Sequence, residues 1–385
     1  MTDTRLRRAP DSLILKRLAG MHRRKLLFLL ASLSIPGRGG QSLAATPGAT
    51  PNAASNLPSV SIDGFPTEIT ATVAGPVDGG MDFWAAPVLM ALGRTLPPGT
   101  RFRQVSVGAA DGVTGANQFE ARVAPDGGSL MLAPGAAALA WLAGDPRAQF
   151  DIGHWVPVMA GISSGVVVMR GGAAALTANR ELRVATTSLI GPDLACLLAI
   201  ELLGARPVPV MLPAARPGGM AGLHALAAGG VDVVLLRGRN ATELGALPEG
   251  TKPVFSLGAM DENGSRGRDG AFRDLPYLAE LHTMLRGQPP DGALFDAWLA
   301  VTAAVQIEFA AVLPQLTPAA MVALWRRAGA EATQAAELRQ AAADRAVRVV
   351  GGMAGTTALV AATANTATLL ELRRWLGTRF NWHPS

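Results

Sequence analysis

The sequence predicts an α/β protein in which strands and helices alternate along the chain and build mostly parallel sheets covered by helices on both faces. Three observations lead there. Short apolar runs such as EITATVAG (68–75), GVVVMR (165–170) and VDVVLL (231–236) have the length and β-branched content of buried strands. Between such runs lie longer apolar or glycine-spaced segments of helical length. The composition, 49% hydrophobic against 16% charged, supplies buried cores and excludes a disordered chain.

Taken in order, EITATVAG reads as a strand and DFWAAPVLMALGR (82–94) as a buried helix, which Pro87 should bend or start late. RFRQVSV (101–107) is a second strand, followed by a glycine-spaced helix and the strands SLMLA (129–133), VPVMAG (156–161) and GVVVMR. The alternation repeats through ELRVATT, a helix near 194–203, VPVML, a helix near 220–228 and VDVVLL. The tail after Pro318 reads as long and helical, from MVALWRRAG to TLLELRRWL.

The sequence pI near 10.2 invites a nucleic-acid or membrane partner until the charges are located. Residues 1–44 hold nine Lys/Arg and two acids, a net +7 against +5 for the whole chain, which leaves −2 for the remainder. No nucleic-acid partner is therefore expected. The leader has a basic cluster HRRK (22–25), the apolar run LLFLLASLSI (26–35) and an A-x-A-like Ser42-Leu43-Ala44, the parts of an export signal cleaved near Ala44. Its apolar run is too short to span a bilayer, and Arg23-Arg24 suits a twin-arginine route as well as an ordinary secretory one. Met1 and Met21 are alternative starts. The lone Cys196 allows no intrachain disulfide, and residues 45–64 read as a flexible linker.

The stretch VAGPVDGGMDFWA (73–85) carries a glycine pair at the start of a helix. Its spacing fits neither a phosphate loop nor a dinucleotide fingerprint. Free N–H groups at a helix start can still hold a small anion, and the same residues also suit an ordinary turn with Asp82 as helix cap.

Several motifs in one order, from about Thr67 to Trp375, resemble the Bug or tripartite tricarboxylate transporter receptor (TctC-like) family of periplasmic solute-binding proteins. They are Asp78-Gly79-Gly80-Met81-Asp82, GVTGANQFEARVAPDGGSLML (112–132), FDIGHWVPV (150–158), GLHALAAGGVDVVL (222–235) and LPYLAEL (275–281). The resemblance implies a two-lobed, type II-like binding-protein fold with a ligand cleft between lobes. It divides the chain into lobe 1 (65–162 and 286–385) and lobe 2 (163–285). It also implies a ligand carboxylate held on two facing loops, at Asp78, Gly79, Gly80, Met81 and Asp82 in lobe 1 and at Thr186, Thr187, Ser188 and Gly191 in lobe 2. The residues of ATTSLIGPD (185–193) support the second loop independently, with hydroxyls at a strand end and Pro192 at a helix start, although Ser188 or Asp193 as a simple cap is equally open. ARPGGM (215–220) adds Arg216 as a partner for a second carboxylate, against a solvated loop arginine.

Departures from the family pattern are Asp78 where glycine is usual, Leu194 and Leu197 or Leu198 in place of a His and a Glu, and Ala214 in place of an aromatic residue. They widen the expected ligand to a small organic acid or an amino acid. No cofactor, metal or catalysis is expected, and the chain is expected to be a monomer partnered by integral membrane transporter subunits. A ligand-presenting sensor domain would use the same pocket. A serine hydrolase built on GISSG (161–165) is disfavoured because Ser163 is followed by a strand pattern rather than a helix. The scattered His residues and Cys196 lack metal-ligand spacing. Mass spectrometry of the exported protein is expected to show a chain starting near Ala45; a membrane-retained chain with its leader intact would refute the signal reading.

Overall fold

The computed structural model describes residues 64–177, 179–213, 220–245, 247–261 and 263–383. The leader, the linker up to residue 63 and Arg216 lie outside the described residues.

The first α/β run comprises β1 (Glu68–Ala74), α1 (Gly80–Thr95), β2 (Arg101–Val107), α2 (Val113–Arg122), β3 (Ser129–Ala133), α3 (Gly135–Ala143) and β4 (Val156–Ser163). A second run follows with β5 (Gly165–Arg170), β6 (Glu181–Thr186), α4 (Leu194–Leu202), β7 (Arg206–Met211), α5 (Met220–Ala227), β8 (Val233–Arg237), the short α6 (Arg239–Thr242) and β9 (Thr251–Ser256). The hairpin β10 (Ala259–Met260) and β11 (Arg266–Gly267) leads into α7 (Leu278–Arg286), α8 (Ala293–Gln306) and β12 (Ile307–Leu313). The chain ends with α9 (Ala319–Ala332), α10 (Ala336–Asp344), β13 (Val347–Gly351), α11 (Gly352–Val360) and α12 (Thr366–Phe380).

Among the described residues two large sheets result, in the orders β13-β4-β12-β3-β1-β2 and β7-β6-β8-β5-β9, beside the two-stranded β10-β11. The α/β class holds, but the sheets are mixed rather than mostly parallel. β1 is parallel to β2 and β3, and β6 to β7 and β8, while β12 runs antiparallel to β3 and β4, β13 to β4, and β5 to β8 and β9. The cause is the crossing between sheets. The chain leaves the first sheet through β4 and β5 and returns to it through β12, so the returning strand starts where the departing one ends and must oppose it.

The tail departs from expectation in the same way: β13 interrupts the helices after Pro318. Its sequence VRVVG is a strand only because the edge of β4 is open to pair with it. β2, at the other edge, carries exposed Arg101 and Arg103, charges that discourage further pairing.

Helix α1 begins at Gly80 with Pro87 inside it, not after it. Pro87 contributes no N–H to the ladder, but Met81, Trp84, Ala85, Val88, Leu89 and Leu92 make one buried face that holds the helix on the sheet. Trp84 packs on Phe309 of β12 at 4.9 Å between ring centroids.

Helix α8 is the joint between the two halves. It packs on α3 beneath the first sheet, on α4 beneath the second and on α12. Trp298 at its centre is wholly buried and donates its indole N–H to the Ala195 carbonyl of α4 at 3.1 Å. One hydrophobic cluster consequently runs from Phe119 and Met131 through Trp298 to Leu197 and Phe255. Gly135, the first residue of α3, sits so close to the end of α8 that a Cβ there would overlap the carbonyl oxygens of Ala304 and Ile307.

Gly135→Ala is therefore expected to destabilise the protein by about 3 kcal/mol or more, since backbone must move to admit the methyl group. Gly80→Ala, with nothing within 4 Å of the added carbon, is expected to change stability by at most about 1 kcal/mol. Urea denaturation of both variants checks the contrast.

Candidate functional site

Strand register places the predicted loops on facing edges of the sheets. Ala133 at the end of β3 pairs with Ala310, Ile307 pairs with Ile162, and the crossing to β5 follows at once, so the C-terminal ends of β1, β2 and β3 share the crossing edge. In the second sheet Gly165 pairs with Arg237 at the end of β8, and β6 and β7 run parallel to β8. Loops 75–79 and 187–193 both open on these edges.

The first loop is a turn closed by its own carboxylate. Asp82 accepts the N–H of Asp78 at 3.1 Å through Oδ2, while its Oδ1 accepts from Gln104 at 2.5 Å and from Ser106 at 3.3 Å on β2. Asp82 thus reaches back as a capping residue and is not a free ligand group. Asp78 has φ 59, in the left-handed region where Asp is tolerated and Gly is easiest. Gly79 is crowded, with a Cβ 2.9 Å from the Pro76 carbonyl oxygen, whereas Gly80 faces open space. The Met81 side chain is core. The N–H groups of Gly80, Met81 and Asp82 head the helix, whose ladder starts with Phe83 N–H donating to the Gly79 carbonyl. Among the described residues they have no acceptor, so three donors and the positive end of a helix remain for an anion.

The second loop differs from expectation. Thr186 is buried and its hydroxyl donates to its own strand at Val184 O, 2.9 Å. Thr187 donates both its N–H and its O–H to Asp193 Oδ2, at 2.8 and 2.9 Å. A carboxylate of the chain itself takes the donors predicted for the ligand. Burial pushes the Asp193 carboxyl above its ordinary range, against the pull of the Thr187 bonds and of the positive charge on Arg237. The first turn of α4 is spent as well, because Leu194, Ala195 and Cys196 donate to Gly191, Pro192 and Asp193. What remains are the N–H groups of Ser188 and Leu189, without acceptors among the described residues, and the Ser188 hydroxyl, whose oxygen accepts from Ile190 N–H at 3.3 Å. Gly191 is buried in the turn, donating its N–H to Ser188 O.

Sequence reasoning missed the residues between the edges. A cavity of about 630 Å³ is lined by Phe83 beside the first loop, by Arg237, Arg239 and Asn240 from the second half, and by Glu308 and Arg345 from the first. Arg237 donates to Glu308 Oε1 at 2.7 Å across the halves and lies 3.5 Å from the Ser163 hydroxyl. Its Nε is buried with no acceptor. Arg239 pairs with Glu243 at 2.8 Å. Arg345 stacks its guanidinium over the Phe83 ring, 3.6 Å from the centroid, and has no ion pair among the described residues. Ser163 is buried and followed by β5, so GISSG makes no strand-to-helix elbow. The only sequence signal for Arg237 was a charge ending the apolar run VVLLR; Arg345 had none.

No protein-family profile and no curated protein matches the chain. Solved structures do. A TctC solute-binding protein from Polaromonas, solved without ligand, superposes with a TM-score of 0.57 at 17% identity, over 81% of this chain and 98% of that one. The chain shares the fold of a TctC solute-binding protein. Two further matches are the periplasmic binding protein BugD (TM-score 0.47, 14% identity, 81% and 97% covered) and MatC from Rhodopseudomonas palustris with bound malate (0.46, 20%, 81% and 98%).

The Arg237–Glu308 pair is part-buried, so Glu308→Ala, which strands a guanidinium with an already unpaired Nε, is expected to cost about 1–3 kcal/mol. The double replacement Arg237→Met with Glu308→Leu is expected to cost less than either single change. A double-mutant cycle by urea denaturation tests both statements.

Proposed function

We propose that the protein is a periplasmic solute-binding protein of the Bug or TctC type, which captures a small carboxylate-containing metabolite between two lobes for a tripartite tricarboxylate-type transporter. The observation that carries this reading is the cavity between the sheet edges, lined by Arg237, Arg239 and Arg345 with Glu308 and Asp344, and by Phe83 from the first turn of α1. Its lining is net positive, and Phe83 ties it to the start of α1, where a carboxylate gains both hydrogen bonds and the helix dipole. The fold shared with the Polaromonas protein supports the same reading.

In this reading residues 1–44 direct export and are removed near Ala44, residues 45–64 are a tether, and the mature chain works as a monomer that docks on membrane subunits. The two lobes comprise 65–162 with 286–385, and 163–285, a division supported by the composition of the two sheets. The ligand carboxylate sits on Gly80, Met81 and Asp82 N–H, faces Ser188 and Leu189 N–H, and is reached by Arg345. Asp78 borders the same loop, so an amino acid whose ammonium group meets it is accommodated as well as a simple acid. The protein performs no catalysis in this role.

A thermal-shift screen of small organic acids and amino acids identifies the ligand. At about 100 times its dissociation constant the cognate compound is expected to stabilise the parent by about 2.7 kcal/mol. Gly80→Val should fold normally, since Gly80 faces open space, yet lose that stabilisation because its side chain covers the donors. A full response in the variant would move the pocket elsewhere. Asp78→Gly is expected to tighten purely anionic acids and weaken amino acids.

A further inference from the structure

A second recess lies on the other side of the β13 start. It has a cavity of about 200 Å³ walled by Ile162, Met260, Ala303, Val350, Ala354 and Ala358. An adjoining recess of about 490 Å³ shares Ile162, Met260, Gln306 and Arg348 with it. Its walls come from β4, α8, β13 and α11 on one side and from the β10–β11 hairpin on the other, so it spans the joint between the sheets without using any residue of the interlobe cavity's arginine set.

Two guanidinium groups line this cavity, and neither has a carboxylate partner among the described residues. Arg266 donates through Nη1 to the carbonyls of Leu257 and Gly258, at 2.9 and 3.3 Å, and to Gln306 Oε1 at 2.7 Å, all neutral acceptors. Protein packed around it pulls its pKa down to about 10, although the residue keeps some exposed surface, as expected of a cation facing a recess. The exposed Arg348 projects from β13, its side chain without a hydrogen bond or ion pair among the described residues. Two acids stand here, each accepting from its own loop: Asp261, on the cavity wall itself, accepts Asn263 and Ser265 N–H at 2.9 and 2.8 Å, and Asp269, in the adjoining recess, accepts Ala271 N–H at 2.9 Å. Arg266 is desolvated and hydrogen-bonded only to neutral acceptors, with the Asp269 charge acting on it through space, and a bound carboxylate adds the charge-assisted bonds it lacks. The opposite wall is alanine and valine with the single Thr357 hydroxyl, and it holds no cation for a second carboxylate. The volume, below the roughly 300–1,000 Å³ of drug-sized sites, limits the occupant to a few heavy atoms beyond the head group.

We propose that this recess binds a short aliphatic monocarboxylate, its head group between Arg266, Arg348 and the Gln306 amide and its tail on Ala354 and Ala358, and that occupancy fixes the β10–β11 hairpin against the first sheet. Hexanoate, titrated calorimetrically into the full chain, is expected to bind saturably and at least tenfold more tightly than hexanol or hexylammonium. Arg348→Gln and the cavity-filling Ala354→Leu should each weaken hexanoate at least tenfold while melting temperatures without ligand stay close to the parent's. Gly80→Val, outside this recess, should leave hexanoate affinity unchanged. The site is refuted by no binding to the parent, by hexanol binding as tightly as hexanoate, or by full affinity in Arg348→Gln. Loss of binding in Gly80→Val with Arg348→Gln unaffected would assign the probe to the interlobe cavity, removing this second site and leaving the transport reading intact.

Discussion

The burial of Trp298 on α8, the helix that packs on α3, α4 and α12, is the constraint on which the rest of the structure depends. An indole in a core is stable only if its N–H finds a partner, and the Ala195 carbonyl in the other half supplies it. That single side chain therefore registers the second sheet against the first. Because α8 runs straight into β12, the same helix also sets where the returning strand enters between β4 and β3. Antiparallel pairing at the crossing follows from that entry point.

Fixing the joint in this way brings two sets of strand ends face to face and leaves their loops to define the chemistry. Both loops contain a carboxylate that the chain uses on itself, Asp82 in the first and Asp193 in the second. The consequences differ. Asp82 reaches backwards, closes the turn and leaves the helix N–H groups open, whereas Asp193 takes the N–H and hydroxyl of Thr187 for itself. The two halves are thus unequal, and the positive charge that compensates lies between them on Arg237 and Arg345.

Much of the fold was legible from periodicity. The strands β1 to β8 and helix α4 fall within a residue or two of the apolar runs that announce them, because a buried parallel strand or helix must be apolar along its length. β12 and β13 were not legible: IEFAAVL continues an alanine-rich helix, and VRVVG sits among helical residues, so only an available partner strand decides their state. Pro87 likewise weakens α1 locally, but the buried side chains on one face outweigh one missing hydrogen bond.

For the site, the sequence by itself determined the opening loop, since a glycine pair at a helix start followed by an acid three residues into the turn is a local device that closes within its own segment. It determined too that Ser163 precedes a strand. Tertiary structure alone decided which donors stay free, that Thr186 and Met81 face inward, and that Arg237, Arg345 and Phe83 meet. Those residues are 108 positions apart between Arg237 and Arg345 and further to Phe83, and no local pattern encodes a contact made by strands that pair across the return of the chain.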